Sequence, residues 1–293
     1  MEMAIDGVQL SHPDKILYPE QNVTKRVLAQ YYEAIAESML PHVVNRAISL
    51  VRCPSGRRSK CFFQRHAHAG SPSQLKEAHI DGVGDAEPYV YITNAKGLIA
   101  LVQMGVLEIH PWGSRIDKPL RPDRIVFDLD PGEGVAFSDV VAAARDTRDR
   151  LSALGLESFV KTTGGKGLHV VVPVARRWSW AEVKGFAKRM ADLMARDEPG
   201  RFIARASKAE RRGRIFVDYL RNDPTSTAVA PYSTRSREGA TVATPLAWDE
   251  LNPRLDPRKF NVTTVPRRVA KLGSDPWAGM LKLSQTLPAI GDA

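Results

Sequence analysis

The chain has 293 residues, of which 43% are hydrophobic, so it can bury a core as one large domain or as two smaller ones. Its 42 lysines and arginines outnumber its 33 aspartates and glutamates, and the net charge of +9 favours an anionic partner, either nucleic acid or an anionic membrane surface. No run of about 18 apolar residues and no signal peptide are present, which argues against a membrane protein and predicts a cytoplasmic one.

Helix signals recur along the chain. Thr24 can cap a helix whose apolar residues repeat at helical spacing, and Pro41 is expected to end it. Gly155 is placed as the left-handed C-terminal cap of a later helix. Ser179 and Glu182 form a capping box ahead of another apolar stripe. The predicted helices begin at Thr24, Asn94, Ser138 and Ser179.

Short β-rich runs lie between these helices, and the mixture predicts an α+β fold. The runs cover residues 125–129, 159–162, 169–174 and 215–219. A polar, proline-containing stretch at 65–88 is either a loop or the joint between an N-terminal sub-unit, 1–88, and a core, 89–265. The remaining residues, 266–293, are expected to form a C-terminal helix or a tether.

Two cysteines and two nearby histidines raise the question of a zinc site. Cys53, Cys61, His66 and His68 have the spacing C-x7-C-x4-H-x-H, which lacks the close CxxC pair of common structural zinc sites. Two cysteines are also too few for a disulfide scaffold. The sequence therefore favours free thiols and surface histidines.

The stretch DRIVFDLDPG, residues 123–132, places two carboxylates on one face of a strand. Side chains two positions apart point the same way, so Asp128 and Asp130 are expected to lie side by side at the strand end. Asp218 in RIFVDYL is the best third carboxylate. Hard oxygen ligands that converge in this way suit two Mg²⁺ or Mn²⁺ ions. The plain alternative is that Asp128 and Asp130 only end a strand and cap a turn.

The loop in VKTTGGKGLHVVVP, residues 160–173, can present backbone amides to phosphate oxygens. Gly164, Gly165 and Gly167 permit conformations that other residues avoid, while Lys166 and His169 add charge or donors. Because Gly167, and not Ser or Thr, follows the lysine, this is not a Walker A loop. A plain glycine-rich hairpin remains the alternative.

Basic residues in two further segments can bind phosphate groups. Arg235 and Arg237 stand beside the hydroxyls of APYSTRSREG, and Lys208 opens the basic run of SKAERRGR. A charge run is more commonly a solvated face, and that interpretation stays open for all of these residues except Arg235.

Taken together, the motifs resemble one family. FDLDPG, TTGGKGLH, FVDYLRN and APYSTR occur in this order, and SHPDKILYP, CFFQRH and LEIH fit the same pattern, over about residues 8–250. This combination is similar to the polymerase domain of bacterial ATP-dependent DNA ligase D, in the archaeo-eukaryotic primase superfamily. The resemblance implies an α+β fold over residues 1–265, with mixed or antiparallel sheets forming an RRM-like palm flanked by helices.

The resemblance also implies an activity and partners. The expected reaction is templated addition of nucleotides, with ribonucleotides preferred, to a 3′-hydroxyl at gaps or broken DNA ends during end joining. NTP or dNTP would be the substrates, DNA with a downstream 5′-phosphate the template complex, and Ku and an ATP-dependent DNA ligase the protein partners. The expected location is the bacterial cytoplasm, in association with the nucleoid.

Site roles follow from the same resemblance. The implied metal ligands and catalytic residues are Asp128, Asp130 and Asp218. The implied nucleotide-binding residues are His110, Thr163, Lys166, His169, Lys208 and Arg235, and the DNA-binding residues are Lys15, Lys25, Arg52, Phe62 and Phe63. Because Phe62 and Phe63 are adjacent on a predicted strand, one of them is expected to point into the core instead. Lys25 stands at a helix start, where it is unfavourable unless an anion lies there.

Two other functions stay open at this stage. A DxD motif is also typical of phosphatases of the haloacid dehalogenase type, although these place it near the N-terminus. Basic charge and stacking aromatics would suffice for a catalytically inactive nucleic-acid-binding module; three carboxylates argue against it because they repel phosphate without metals. No K-x-D-G motif occurs, so by the family's pattern this chain should not seal nicks itself.

Overall fold

The computed structural model describes residues 2–68, 70–83, 86–207 and 209–289. Within them the α-helices are α1 (Lys25–Ala34), α2 (Ala36–Val43), α3 (Ala95–Gln103), α4 (Phe137–Ala153), α5 (Trp180–Asp197) and α6 (Thr264–Lys271). The first strands are β1 (Glu2–Ile5), β2 (Val8–Ser11), β3 (Ile16–Tyr18), β4 (Val23–Thr24), β5 (Ile48–Arg52), β6 (Phe62–Gln64), β7 (Lys76–Ala78), β8 (Tyr89–Tyr91) and β9 (Val106–Pro111). The later strands are β10 (Arg124–Pro131), β11 (Phe159–Thr162), β12 (Leu168–Pro173), β13 (Phe202–Ile203), β14 (Ile215–Asp218) and β15 (Pro245–Leu246).

The chain forms two compact units. The first unit contains the described residues of Met1–Trp112, Val229–Thr244 and Arg258–Asp275; the second contains those of Gly113–Ala228, Pro245–Pro257 and Pro276–Ala293. Residues 89–112 thus group with the N-terminal residues, whereas the sequence analysis placed them with the core. The division at residue 88 stays a prediction. Among the described residues, no helix combines the length and the apolar character that crossing a membrane requires.

The first unit is built on a three-stranded antiparallel sheet in the order β6-β5-β9. Two-stranded hairpins β1-β2, β3-β4 and β7-β8 accompany it. Helix α1 packs against α3, and their apolar faces join the strands in one buried cluster. The predicted caps are confirmed: Thr24 accepts from the Val27 amide at 3.3 Å, and Asn94 accepts from the Gly97 amide at 3.3 Å.

The prediction that Pro41 ends the first helix is wrong. The helix instead breaks at Ile35, and α2 continues through Pro41 to Val43. Proline removes one backbone donor, but the Val44 amide still donates to the Leu40 carbonyl at 3.0 Å, so the helical turn continues past it.

The prediction of free thiols is also wrong, because Cys53 and Cys61 form a disulfide. The reason is the pairing of two strands. Arg52 at the end of β5 lies opposite Phe62 at the start of β6, so the cysteines that follow and precede these residues face each other across the connecting loop. Their Cα atoms are 4.3 Å apart. Spacing alone gave no sign of this pairing.

The second unit is built on a six-stranded sheet in the order β13-β14-β10-β12-β11-β15. All of its neighbouring strands are antiparallel except β13 and β14. Helices α4 and α5 pack on it, and the apolar residues of β10 are buried up to Leu129. The mixture of helices and mainly antiparallel sheets confirms the predicted α+β class.

Several local predictions are confirmed in the second unit. The Ser179 and Glu182 capping box opens α5, and Gly155, with φ of +75°, ends α4 as a left-handed residue.

The C-terminal tail contributes a short packed segment as well as a helix. Its Trp277 is buried and donates to the Val160 carbonyl at 2.9 Å, which fixes the tail to β11.

Candidate active site

Three carboxylates converge where β10 and β14 lie side by side in the second unit. Asp128 and Asp218 are directly opposite each other in the antiparallel register, and Asp130 follows two positions later on the same face. One carboxylate oxygen of each residue lies within 4.8 Å of the others. Asp128, Asp130 and Asp218 are named here the acidic centre. If Asp128 and Asp130 only ended a strand and capped a turn, the position of Asp218 beside them would have no explanation.

Positive and donor groups surround part of the acidic centre. Arg221 places its Nε 3.3 Å from Asp128 Oδ2 and its Nη2 3.2 Å from Asp218 Oδ2. His169, opposite Asp128 on β12, places Nε2 3.3 Å from Asp128 Oδ1. The Leu220 amide donates to Asp218 at 2.8 Å. These contacts order two of the carboxylates through neighbours on strand β12 and on the turn that follows β14.

The three carboxyl groups of the acidic centre differ in the direction of their pKa shifts. Burial and the neighbouring Asp128 raise the pKa of Asp130 to about 6. Burial also raises the pKa of Asp218. For Asp128, burial is outweighed by His169, Arg221 and Lys161, which together hold its pKa below the usual value. Burial and the positive charge of Lys161 lower the pKa of His169 to about 4.

The donor set of the acidic centre fits a divalent cation. It offers converging carboxylate oxygens, the hard ligands that such ions prefer. Burial and the neighbouring Asp128 carboxylate both raise the pKa of Asp130, and a bound cation would favour its charged form. This cluster can therefore bind metal.

The glycine-rich loop is a tight turn that lies against the end of β10. A Cβ on Gly167 would meet the Leu129 carbonyl oxygen at 2.7 Å and Asp130 Oδ1 at 3.4 Å, so this approach requires glycine. Thr163 closes the turn, because its hydroxyl donates to the Gly167 carbonyl at 3.1 Å and accepts from the Gly165 amide at 3.3 Å. Lys166 is exposed at the tip. The turn is a hairpin, as the plain alternative expected, and the nucleotide role of Thr163 and Lys166 stays a prediction.

The turn that follows the acidic centre is packed just as closely. The Gly132 amide donates to the Arg214 carbonyl at 2.9 Å, and the Gly213 amide donates to the Glu133 carbonyl at 2.8 Å. A Cβ on Gly132 would lie 1.7 Å from the Arg211 carbonyl oxygen. The basic segment 211–214 is thereby held beside the strand end. Lys208 lies outside the described residues.

In the first unit, two of the predicted nucleotide-binding residues share one carboxylate. Glu108 Oε2 lies 2.8 Å from His110 Nε2 and 2.9 Å from Arg235 Nε. Glu108 Oε1 accepts from the Ser236 amide at 2.8 Å and from its hydroxyl at 2.6 Å. Burial alone would raise the pKa of Glu108, but its neighbours His110 and Arg235 lower this pKa to about 2. Glu108, His110, Arg235 and Ser236 are named here the Glu108 bridge.

Both phenylalanines of CFFQRH are exposed, so the expectation that one points into the core is wrong. Phe62 is 41% exposed and Phe63 is 72% exposed. The physical reason is that β6 is a short edge strand of the first unit's sheet, with strand β5 on one side only. The Phe63 ring makes an edge contact with His110 at a centroid distance of 6.4 Å, and the Arg52 guanidinium lies 5.4 Å from the Phe62 ring.

The two lysines expected to meet a 5′-phosphate differ in accessibility. Lys15 is exposed. Lys25 is buried, and its amine contacts the Ser11 carbonyl at 2.8 Å and the Gln103 side-chain oxygen at 3.2 Å. Burial, with a smaller effect from Lys15, lowers its pKa. Lys25 is thus already bonded to groups of the protein, and its DNA role stays a prediction.

Four residues of these clusters and their surroundings were missed at the sequence level. They are Glu108, Lys161, Arg221 and Ser236. Glu108 stands two positions before His110 in LEIH, a same-face spacing that was available to find it. Arg221 follows Asp218 by three residues, and Lys161 gave no signal, because its position beside His169 depends on the register of β11 and β12.

Comparisons with known proteins agree over most of the chain. The family model for the LigD primase-polymerase domain matches residues 24–277. The multifunctional non-homologous end joining protein LigD of Pseudomonas aeruginosa is 38% identical over 292 residues, which cover 98% of this chain and 34% of that protein. The bifunctional non-homologous end joining protein LigD of Bacillus subtilis is 31% identical over 267 residues, 91% of this chain and 43% of that protein. The chain thus spans well under half the length of these curated relatives.

A solved structure shows the same likeness in three dimensions. The polymerase domain from Mycobacterium tuberculosis ligase D in complex with DNA is 33% identical in sequence and superposes with a TM-score of 0.88. The match covers 95% of this chain and 99% of that one.

Proposed function

The chain belongs to the LigD primase-polymerase domain family, as its motifs indicated, and on that premise we propose that it is a template-dependent nucleotidyltransferase. In the proposed reaction, a primer 3′-hydroxyl attacks the α-phosphate of a bound nucleoside triphosphate, and pyrophosphate leaves. The setting would be gap filling and extension of broken DNA ends during non-homologous end joining.

The observation that carries this proposal is the acidic centre. Asp128, Asp130 and Asp218 come from two neighbouring strands, and their oxygens lie within 4.8 Å of one another. We propose that they hold two divalent ions, Mg²⁺ or Mn²⁺. When bound, such ions would lower the pKa of the attacking hydroxyl and offset the charge on the leaving pyrophosphate.

The chain's own groups would prepare this centre. Arg221 and His169 keep Asp128 in place, and the Leu220 amide orients Asp218. Gly167 lets the glycine-rich turn approach the strand end, where its amides and Lys166 would meet phosphate oxygens. In the same proposal, His110 and Arg235 bind the incoming nucleotide, and Phe63 stacks on a template base.

The finer parts of the proposal rest on the resemblance of the sequence motifs to the family. They are the preference for ribonucleotides, recognition of a downstream 5′-phosphate by Lys15 and Lys25, and cooperation with Ku and an ATP-dependent ligase. The two alternative functions have less support. The DxD motif lies in mid-chain with Asp218 opposite it, unlike the pattern expected of the phosphatase, and a binding module would have no use for three repelling carboxylates.

Primer extension on a gapped duplex with a downstream 5′-phosphate tests the proposal. The assay compares ribo- and deoxynucleoside triphosphates in Mn²⁺ and in Mg²⁺, for the wild type and for Asp130→Ala. Templated addition that the substitution abolishes is the expected result. Asp117→Ala, an exposed carboxylate of the same unit, is the matched control and should retain activity. Absence of addition by folded wild type with metal would refute the polymerase function and leave the binding module ahead.

A further inference from the structure

The Glu108 bridge contains a buried acid that the proposed reaction does not use directly. Glu108 is 5% exposed and sits on β9, with its side chain on the same face as that of His110. Its other partners, Arg235 and Ser236, belong to the segment Val229–Thr244, which is distant in sequence but part of the same unit. One carboxylate thus connects a strand to a separate loop.

Both carboxylate oxygens of Glu108 contact neighbouring residues. Ser236 donates twice to Oε1, from its amide at 2.8 Å and its hydroxyl at 2.6 Å. Oε2 is then directed to His110 Nε2 at 2.8 Å and to Arg235 Nε at 2.9 Å. Because Ser236 fixes the carboxylate plane, the positions of the imidazole and the guanidinium depend on each other.

We propose that Glu108 is a positioning residue that fixes the tautomer of His110 and the direction of the Arg235 guanidinium for nucleotide binding. The identity of the ligand, a nucleotide, rests on the proposed function. The arrangement of Glu108, His110 and Arg235 rests on the observed distances. A carboxylate only accepts hydrogen bonds, so His110 Nε2 carries the hydrogen. In the proposed function, the imidazole of His110 and the guanidinium of Arg235 then meet the nucleotide in fixed orientations.

Stability alone is a poor explanation for this arrangement. Replacing a buried ion pair by well-packed apolar side chains is commonly neutral or stabilising, so a purely structural role would not require a carboxylate here. A carboxylate shared by a histidine and an arginine does account for a fixed tautomer of the histidine and a fixed direction of the arginine guanidinium. The same unit offers a contrast in Glu20, which pairs with Arg57 and Arg58 and contacts neither His110 nor Arg235.

The test compares Glu108→Gln with the wild type in two measurements. Nitrogen-15 NMR of the histidine rings, in protein without metal or nucleotide, should show His110 as the Nε2–H tautomer in the wild type. In Glu108→Gln a mixture is expected, because the amide can donate to Nε2 as well as accept from it. Steady-state primer extension should show KM for the nucleotide raised by about tenfold and kcat changed much less, since the group lost orients and does not react.

Glu20→Gln is the matched control, because it removes an arginine–glutamate pair of the same unit. It should leave both the His110 signals and KM unchanged. Folded Glu108→Gln with an unchanged tautomer and unchanged KM would overturn the inference. If Glu108→Gln fails to fold, Glu108→Asp keeps the charge on a shorter side chain, and a wild-type tautomer with wild-type KM in that variant would overturn the inference as well.

The two measurements also separate this inference from the proposed function. The tautomer is read without substrate, so it reports on Glu108 whether or not the protein polymerises. If the wild type adds no nucleotide, the proposed function fails, while a shifted tautomer in Glu108→Gln would still support the positioning role. If the wild type is active and Glu108→Gln matches it in both readouts, only the inference fails.

Discussion

The acidic centre of the second unit and the Glu108 bridge of the first unit arrange charge in opposite ways. In the acidic centre, burial and the neighbouring Asp128 carboxylate raise the pKa of Asp130 to about 6. In the Glu108 bridge, a single carboxylate lies against His110, Arg235 and Ser236, and these neighbours lower its pKa to about 2 despite its burial. The first arrangement fits a divalent cation. In the proposed function, the second would meet the anionic nucleotide. The same residue types would then serve a cation in one unit and an anion in the other.

The largest expected effect is on the acidic centre, through Asp128→Asn. The substitution keeps the size of the side chain and removes its charge, so we expect the rate of nucleotide addition to fall by about 10³-fold or more, equivalent to about 4 kcal/mol. Single-turnover primer extension at saturating nucleotide measures it. Asp117→Asn, at an exposed ion pair, is the control. A loss of less than about tenfold would contradict the proposed role of this carboxylate.

The next effect concerns the turn that supports the acidic centre. Gly132→Ala would place a methyl group 1.7 Å from the Arg211 carbonyl oxygen, and backbone cannot move aside as a flexible side chain can. We expect the free energy of unfolding to fall by about 3 kcal/mol. Urea denaturation measures this. Gly200→Ala, where no atom lies within 4 Å of the added methyl, should change the stability far less. Equal stability of the two variants would show that the turn is loosely packed.

A smaller effect is expected in the first unit from Phe63→Ala. The ring is 72% exposed and touches His110, so its removal should leave the fold intact while weakening binding to a gapped duplex. Loss of one stacked base is worth about 2 kcal/mol, or roughly thirtyfold in Kd. Fluorescence anisotropy measures the affinity. Leu120→Ala, at another exposed apolar residue, is the control, and equal affinities for both variants would remove Phe63 from the DNA surface.

The smallest effect tests whether Arg221 offsets the charge of the acidic centre. Arg221→Gln removes the ion pairs to Asp128 and Asp218. Because the Arg221 side chain is 40% exposed, solvent screens these pairs, and we expect a loss of only about 1 kcal/mol without metal. Thermal melts with and without Mn²⁺ measure it. The variant should gain more stability from Mn²⁺ than the wild type does, because the bound ion supplies the missing charge. An equal gain would contradict this account.

Strand register explains how much of the acidic centre was accessible from the sequence. Asp128 and Asp130 were found because their spacing places them on one face, which follows from strand geometry alone. Asp218 was found as a carboxylate near the end of another strand-like run. The structure then places it directly opposite Asp128. Lys161 could not be found in the same way, because its place beside His169 depends on a pairing that no local pattern specifies.

The errors have the same origin in long-range structure. The disulfide between Cys53 and Cys61 follows from the pairing of Arg52 with Phe62, and the exposure of both phenylalanines follows from the edge position of β6. The DNA role of Lys25 stays a prediction, and the contacts of its amine with Ser11 and Gln103 likewise depend on long-range structure. Caps and helices were predicted well because their signals are local, as Thr24, Asn94 and Ser179 show.

The pairing of β10 with β14 has a consequence for biosynthesis. Asp128 and Asp130 lie in the middle of the chain, whereas Asp218 is translated much later and reaches them only when β14 joins the sheet. A nascent chain therefore exposes two carboxylates but not the complete ligand set. Full affinity for a divalent ion would arise only once β14 has paired with β10, so cation uptake during translation would mark the moment at which these two strands have joined.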